Sequence, residues 1–186
     1  MTGDLSSTRR AMLRAGLAAL AGAASAACGY SLAGRGSFLP SYIQTIGVPL
    51  FTNGTTVFDV EQLLTQRVRQ EFIGRGKYQV KPDAAGVDAV LTGTIASITI
   101  VPAAFTDQQQ ASRYIFVLTM QIQFRDLRAN RVIWENPSLV FREEYEVTNA
   151  AGALDANAFF GQESNAVERI AEDFAKSVVS SILEAF

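Results

Sequence analysis

The sequence contains no histidine, and cysteine occurs only once, at Cys28. Without histidine the chain cannot build a Ser–His–Asp or Cys–His nucleophile, a zinc site of His and Cys, or a histidine general base. A single cysteine also excludes an internal disulfide. A basic excess is missing as well, since 16 Lys and Arg stand against 18 Asp and Glu, so a nucleic-acid partner is not expected. We therefore predict no catalytic residues, no metal and no cofactor.

The first 27 residues have the layout of a signal peptide. Arg9, Arg10 and Arg14 are followed by the uncharged stretch 15–27, which consists mostly of Ala, Leu and Gly. A membrane-spanning helix needs about 20 predominantly apolar residues, so this stretch is too short for one. Residues 8–14 also resemble a twin-arginine export signal, and the choice between that route and general secretion stays open.

The residues around Cys28 resemble the processing site of a bacterial lipoprotein. Ser25, Ala26 and Ala27 are small, as a signal peptidase requires before its cut, and the Cys28 thiol can accept a diacylglyceryl group. Ser25 departs from the pattern, because an aliphatic residue is usual at that position. The resemblance implies a lipid anchor at Cys28, and Gly29 after it implies sorting to the outer membrane. An ordinary secretion leader with an unmodified thiol is the alternative.

Two segments of the mature chain have the periodicity of amphipathic helices. In the first, Asp59 stands at the N-cap position, Gln62 is spaced to close a capping box, and Phe58 is spaced to pack on Leu63. The second covers residues 155–186. A stable helix is expected from residue 164, because Gly161 weakens the first turns. The positions predicted to be buried are Val60, Leu63, Leu64, Val68 and Phe72 in the first helix, and Val167, Ile170, Phe174, Val178 and Ile182 in the second.

Alternation of apolar and polar residues predicts three long strands between the helices. In 87–101 the alternation shifts, so we expect a bulge near Ala96, with Ile98 and Ile100 on the face opposite to Leu91 and Ile95. A strand over 132–147 is expected to break near residues 136 and 137. Shorter extended pieces are predicted at 43–51 and 78–80. The clearest strand is 113–125, whose even positions are Tyr114, Phe116, Leu118, Met120, Ile122 and Phe124.

The order of these elements predicts an α+β fold, with two helices packed on one face of a mixed, mostly antiparallel sheet of about four strands. The other face of the sheet is expected to be exposed to solvent or covered by a partner. We divide the chain into a signal peptide (1–27), a lipid-anchored tether (28–42) and one domain (43–186).

Several stretches of the mature chain resemble the LPS-assembly lipoprotein family, LptE. They are Cys28 to Gly34, Ile46 to Asn53 before the first helix, Ala89 to Ile95, the turn Asp126 to Arg131 leading to Trp134 and Glu135, and Ile182 to Glu184. The resemblance rests on their order and spacing. It implies a non-enzymatic lipoprotein on the periplasmic face of the outer membrane, which plugs an LptD-like β-barrel and helps lipopolysaccharide reach the outer leaflet.

The resemblance also implies that basic residues contact lipopolysaccharide phosphates. Arg125, Arg128 and Arg131 cluster around one predicted strand turn and are the candidates for this contact. Arginines at a turn are more often simply solvated, and that alternative stays open.

Two other functions are compatible with the sequence. Residues 46–53 before a helix also resemble small domains of secretion-channel and cell-wall-synthase activator lipoproteins, which would make the chain another periplasmic interaction lipoprotein. A hydrolase built on Asp and Glu alone ranks last, because no paired carboxylates stand in an apolar setting. Glu143, Glu144 and Glu146 invite that interpretation, but a solvated strand face is favoured.

Overall fold

A computed structural model describes residues 39–75, 77–105, 107, 111–146, 156–162 and 164–184. The predicted signal peptide, Cys28, residues 28–38 of the predicted tether and the start of the second predicted helix at Asp155 lie outside these residues. Within the described ranges, no helix is both long and apolar enough to cross a membrane.

The elements follow the predicted order, and the α+β class is confirmed. The described part of the chain has six strands rather than about four, and three helices rather than two. Thr45–Gly47 and Gln79–Lys81 fall at the shorter pieces predicted at 43–51 and 78–80, whereas Thr52–Asn53 is too short to leave a readable alternation. The elements are β1 (Thr45–Gly47), β2 (Thr52–Asn53), α1 (Val60–Gly74), β3 (Gln79–Lys81), β4 (Ala89–Phe105), β5 (Ala111–Asp126), β6 (Arg131–Glu146), α2 (Ala156–Gln162) and α3 (Ser164–Leu183).

The strands form one mixed sheet in the order β3-β1-β4-β5-β6. The long strands β4, β5 and β6 make an antiparallel meander, as the sequence predicts. β1 pairs in parallel with both β3 and β4, and β2 pairs in parallel with β4 further along. The short parallel strands thus extend the sheet on the side of β4 away from β5.

The core lies between the sheet and the helices α1 and α3. The six even-numbered apolar side chains of β5 are each at most 3% exposed, which confirms the predicted face. Phe72 of α1 stacks on Phe124, with ring centroids 6.4 Å apart, and Phe174 of α3 meets Phe141 of β6 edge-on at 5.7 Å. Both helices therefore cover the same face of the sheet. Full burial of such side chains stabilises the fold by about 1.5–3 kcal/mol each.

The predicted bulge in β4 is present, but its effect on the strand faces differs from the prediction. Ala96 is the extra residue, because the pairing with β5 shifts between Ile95 and Ser97. Ile98 and Ile100 pair with core-facing residues of β5 and so lie on the same face as Ile95. The prediction of opposite faces was wrong because the extra residue changes which positions face the core. Before Ala96 these are the odd-numbered residues, and after it they are the even-numbered ones.

β6 does not break near residues 136 and 137 but continues through them with a second bulge. Met120 pairs with Leu139 and Ile122 with Asn136, so Pro137 and the residue after it stand opposite a single residue of β5. Proline lacks the amide hydrogen that a regular ladder requires, and the bulge accommodates it.

Helix α1 begins where predicted, but its N-terminus is built differently. Asp59 occupies the N-cap with a left-handed φ of 61°, and its side chain makes no hydrogen bond to the backbone of the helix. Gln62 donates instead to the Asp59 side chain, at 3.2 Å, so the predicted capping box does not form. Phe58 is 83% exposed, so its predicted packing on Leu63 was wrong. The left-handed residue redirects the chain between Phe58 and the helix.

Candidate functional site

The three predicted arginines all lie at the turn between β5 and β6. Arg125 is the second-last residue of β5, Arg128 lies in the turn, and Arg131 begins β6. Arg125 donates to the side chain of Asn130 at 2.9 Å, and Asn130 has a left-handed φ of 49° that closes the turn. All three arginines thus flank one turn, but Arg125 pairs with Val132 and Arg131 with Asp126, which places these two arginines on opposite faces of the sheet. Their contact with lipopolysaccharide stays a prediction.

Asp126 organises this turn from a fully buried position. One of its carboxylate oxygens accepts hydrogen bonds from the backbone amides of Arg128 and Ala129, both at 2.9 Å. The other accepts a hydrogen bond from the hydroxyl of Tyr42. Burial alone would raise the pKa of Asp126, but these hydrogen bonds and the charge of Arg131 outweigh it and hold the pKa below 3.8. The same hydrogen bond raises the pKa of Tyr42 above 10.0.

Asp88 connects the turn to the segment before β1. Its carboxylate accepts hydrogen bonds from the amides of Thr45, at 2.9 Å, and Gln44, at 3.0 Å, which lower its pKa below 3.8. Its other oxygen lies 3.3 Å from Nε of Arg128, whose guanidinium also stands 5.5 Å from the ring centroid of Tyr42. Arg128 therefore already has partners within the protein, although its side chain stays 60% exposed.

The glutamates of β6 lie on two faces of the strand. Glu144 and Glu146 share a face, as predicted, and both contact Arg113 of β5, at 3.1 and 3.3 Å. Their side chains are 52% and 78% exposed, which agrees with a solvated strand face. Glu143 pairs with Phe116 on the other face. Across the described ranges, no group of three or more His, Cys, Asp and Glu side chains is arranged to hold a metal.

The face of the sheet away from the helices carries mainly uncharged polar side chains in its central part. Thr119, Gln121 and Gln123 of β5 point to this face, opposite residues of β4 on the same side. A groove of about 500 Å³ lies on it, with Leu50 and Pro137 among its lining residues and Gln123 hydrogen-bonded to Glu135 at 3.1 Å. In the centre of β4 the outward residues are Thr92, Thr94, Ser97 and Thr99, and the apolar Val90 and Val101 lie towards its two ends on the same face.

Sequence reasoning missed two parts of these surfaces. Tyr42 and Asp126 are 84 residues apart, and no local pattern marks their contact. The contribution of Leu50 to the groove was also missed, because a single apolar residue after a proline gives no signal of where it lies.

The described residues define an α+β domain with two polar surfaces, the basic turn and the open sheet face, which is an arrangement suited to binding other molecules. The sequence profile of LptE, described as lipopolysaccharide-assembly, matches residues 43–182. The chain therefore belongs to the LptE family.

Comparison with curated protein sequences gave no match. Solved structures with a similar fold include the PelC dodecamer from Paraburkholderia phytofirmans, with 13% identity, coverage of 78% of this chain and 90% of that chain, and a TM-score of 0.48. Rare lipoprotein B from Shewanella oneidensis has 12% identity, 74% and 95% coverage, and a TM-score of 0.43. A minor lipoprotein from Acinetobacter baumannii has 16% identity, 78% and 94% coverage, and a TM-score of 0.42. All three scores lie below 0.5, so the assignment rests on the family match.

Proposed function

We propose that this protein is a lipid-anchored outer-membrane lipoprotein that binds an LptD-like β-barrel and supports lipopolysaccharide assembly. The observation that carries the proposal is the family match over residues 43–182. In this proposal residues 1–27 are removed on export, Cys28 carries the lipid, and residues 28–42 tether the domain to the periplasmic face of the outer membrane.

The open face of the sheet supports a role inside or against a barrel. Barrel interiors are polar, and a protein that fills one needs a surface that forms hydrogen bonds without burying unpaired charges. Thr119, Gln121 and Gln123 provide such groups along the centre of this face. The paired Glu135 lies beside them, so its charge has a hydrogen-bond donor when water is removed.

The basic turn is the proposed contact for lipopolysaccharide phosphates. Guanidinium groups bind phosphate with two parallel hydrogen bonds, and Arg128 remains 60% exposed despite its contact with Asp88. Arg131 is exposed at the start of β6. Arg125, the second-last residue of β5, is partly exposed at the same turn.

Extraction of the full-length tagged protein from outer membranes in mild detergent tests the proposal. We expect a large β-barrel protein to co-purify, and depletion of this protein to trap lipopolysaccharide inside the cell. Recovery without any barrel would contradict the proposal and favour another periplasmic interaction lipoprotein. The variant Arg131→Ala should retain the barrel but bind less lipopolysaccharide, with Arg169→Ala as the control, since Arg169 is an equally exposed arginine on α3.

The lipid anchor has a separate test. Mass spectrometry of the mature N-terminus should find Cys28 as the first residue, with an attached diacylglyceryl group. A free Cys28 thiol would remove the anchor from the proposal without affecting the barrel partner.

A further inference from the structure

Phe58 is the most exposed large hydrophobic side chain in the part of the chain that the structure describes, at 83%. It lies in the loop between β2 and α1, and Leu50, 55% exposed, lies just before β2. Isolated exposed hydrophobic residues are common on protein surfaces. The exposure of Phe58 becomes informative because the loop that carries it is held rigidly.

The side chain of Asn53 forms the centre of this loop. Its amide nitrogen donates to the carbonyl oxygen of Val57 at 2.7 Å and to the carboxylate of Glu61 at 2.8 Å. Its amide oxygen accepts from the backbone amide and the hydroxyl of Thr55, at 2.9 and 2.8 Å. The Thr55 hydroxyl in turn accepts from the amide of Val57 at 3.2 Å. These five hydrogen bonds join both ends of the loop to its middle.

The backbone on each side of Phe58 is also fixed. The amide of Gly54 donates to the carbonyl oxygen of Ile95 in β4 at 2.9 Å, and a Cβ atom at Gly54 would stand only 2.8 Å from that oxygen. Val57 is buried, and Asp59 holds a left-handed φ of 61°. Such a conformation is uncommon outside glycine, and aspartate is one of the few residues that adopt it. The loop therefore fixes the backbone on both sides of an aromatic side chain that is exposed to water.

We propose that the loop of residues 53–59 presents Phe58 as an aromatic anchor for an apolar pocket on a protein partner. This inference rests on the proposed function, under which the partner is the β-barrel. Binding an anchor that is already held in place avoids the entropy cost of ordering a loop. Buried aromatic side chains are also the residues that dominate the affinity of protein interfaces.

The charges near Phe58 in the sequence favour a protein pocket as its binding partner over a membrane or a second copy of the chain. The sequence has no Lys or Arg between Arg35 and Arg67, while Asp59 and Glu61 flank the anchor. Basic residues strengthen binding to an anionic lipid surface, and this stretch of the sequence provides none. A symmetric contact between two copies would bring these acidic residues against their equivalents. A pocket with an apolar centre and a rim of hydrogen-bond donors or basic side chains complements them.

The test uses the full-length protein and the barrel that it retains in detergent. Phe58→Ala should weaken binding to the purified barrel by about 30-fold, the effect typical of a central aromatic anchor. Ile73→Ala is the matched control, because Ile73 is 57% exposed near the other end of α1, and should change the affinity by less than about 3-fold. A photoreactive residue at position 58 should cross-link to the barrel in cells.

Asn53→Ala tests the role of the rigid loop, since it releases Phe58 without removing it. Its affinity should fall by about 5- to 10-fold, and the double variant with Phe58→Ala should bind no more weakly than Phe58→Ala alone. Thermal unfolding of each variant checks that the domain remains folded. Additive losses in the double variant would contradict a positioning role for Asn53.

The outcomes separate this inference from the proposed function. Failure of the wild-type protein to retain any barrel overturns both. Retention of the barrel with full affinity by Phe58→Ala overturns only the anchor. A cross-link from position 58 to a second copy of the chain or to lipid also overturns the anchor. The anchor is likewise overturned if the wild-type protein binds vesicles of phosphatidylethanolamine and phosphatidylglycerol and Phe58→Ala does not.

Discussion

The hydroxyl of Thr65 should stabilise the fold by satisfying a buried backbone amide. Thr65 is fully buried in α1, and its Oγ1 accepts a hydrogen bond from the amide of Phe51 at 3.0 Å while donating to the carbonyl oxygen of Glu61 at 2.6 Å. Thr65→Val replaces the hydroxyl with a methyl group of similar size, so no cavity forms. The amide of Phe51 then lacks an acceptor, and an unsatisfied buried donor costs about 1–3 kcal/mol. That is a substantial part of a domain stability of about 5–15 kcal/mol.

Urea denaturation measures this loss, and hydrogen exchange at the Phe51 amide identifies its cause. We expect Thr65→Val to unfold at lower urea concentration with an unchanged slope, and the Phe51 amide to exchange much faster. Thr65→Ser is the control, because it keeps the hydroxyl and loses one methyl group, at a cost of about 1 kcal/mol with the amide still protected. Wild-type stability in Thr65→Val, together with a protected Phe51 amide, would refute the reasoning.

Three further predictions concern the backbone and the carboxylates of Asp88 and Asp126. The pKa values of Asp88 and Asp126 are held below the ordinary aspartate value, so both carboxylates should stabilise the fold fully at neutral pH, and this effect should be lost as the pH falls through the lowered pKa values; urea midpoints at pH 7 and pH 3 should differ less in Asp126→Asn than in the wild type. Gly47→Ala would force a Cβ against a backbone carbonyl of the β3–β4 connection and should destabilise the fold by about 1–3 kcal/mol, whereas Gly74→Ala, with open space around it, should stabilise it by about 0.5–1 kcal/mol; thermal unfolding that ranks them the other way would contradict this. Asp59→Val should cost about 1–2 kcal/mol and Asp59→Gly almost nothing, since a β-branched residue tolerates the left-handed conformation poorly; equal thermal midpoints would show that the backbone relaxes.

Periodicity predicted the parts of the fold whose burial is decided locally. Six alternating side chains fix the buried face of β5, and the five apolar positions of α3 are all buried. The shift of alternation at Ala96 correctly located a bulge, because the pattern itself changes there. The face of Ile98 was assigned wrongly because alternation counts residues, whereas a bulge adds one residue without changing the side.

Contacts between distant residues could not be predicted. β1 and β3 have three residues each, and their parallel pairing depends on the path of the chain between them. The candidate site shows the same division. Adjacency in the sequence places Arg125, Arg128 and Arg131 at one turn, but Asp88 approaches Arg128 only because β4 lies beside β5. The left-handed Asp59 likewise depends on a loop whose hydrogen bonds converge on Asn53.

The irregularity of β6 has a consequence for how the molecule avoids self-association. β6 is the last strand of the sheet, and among the described residues no strand pairs with its outer edge, so sixteen residues of backbone border that side. A regular edge of that length is a template for strand addition and fibril growth. The bulge at Pro137 interrupts the spacing of this edge, and Arg142 and Glu144 add charge further along. A second chain laid along β6 would therefore lose register at the middle of the strand, which limits aggregation from this edge.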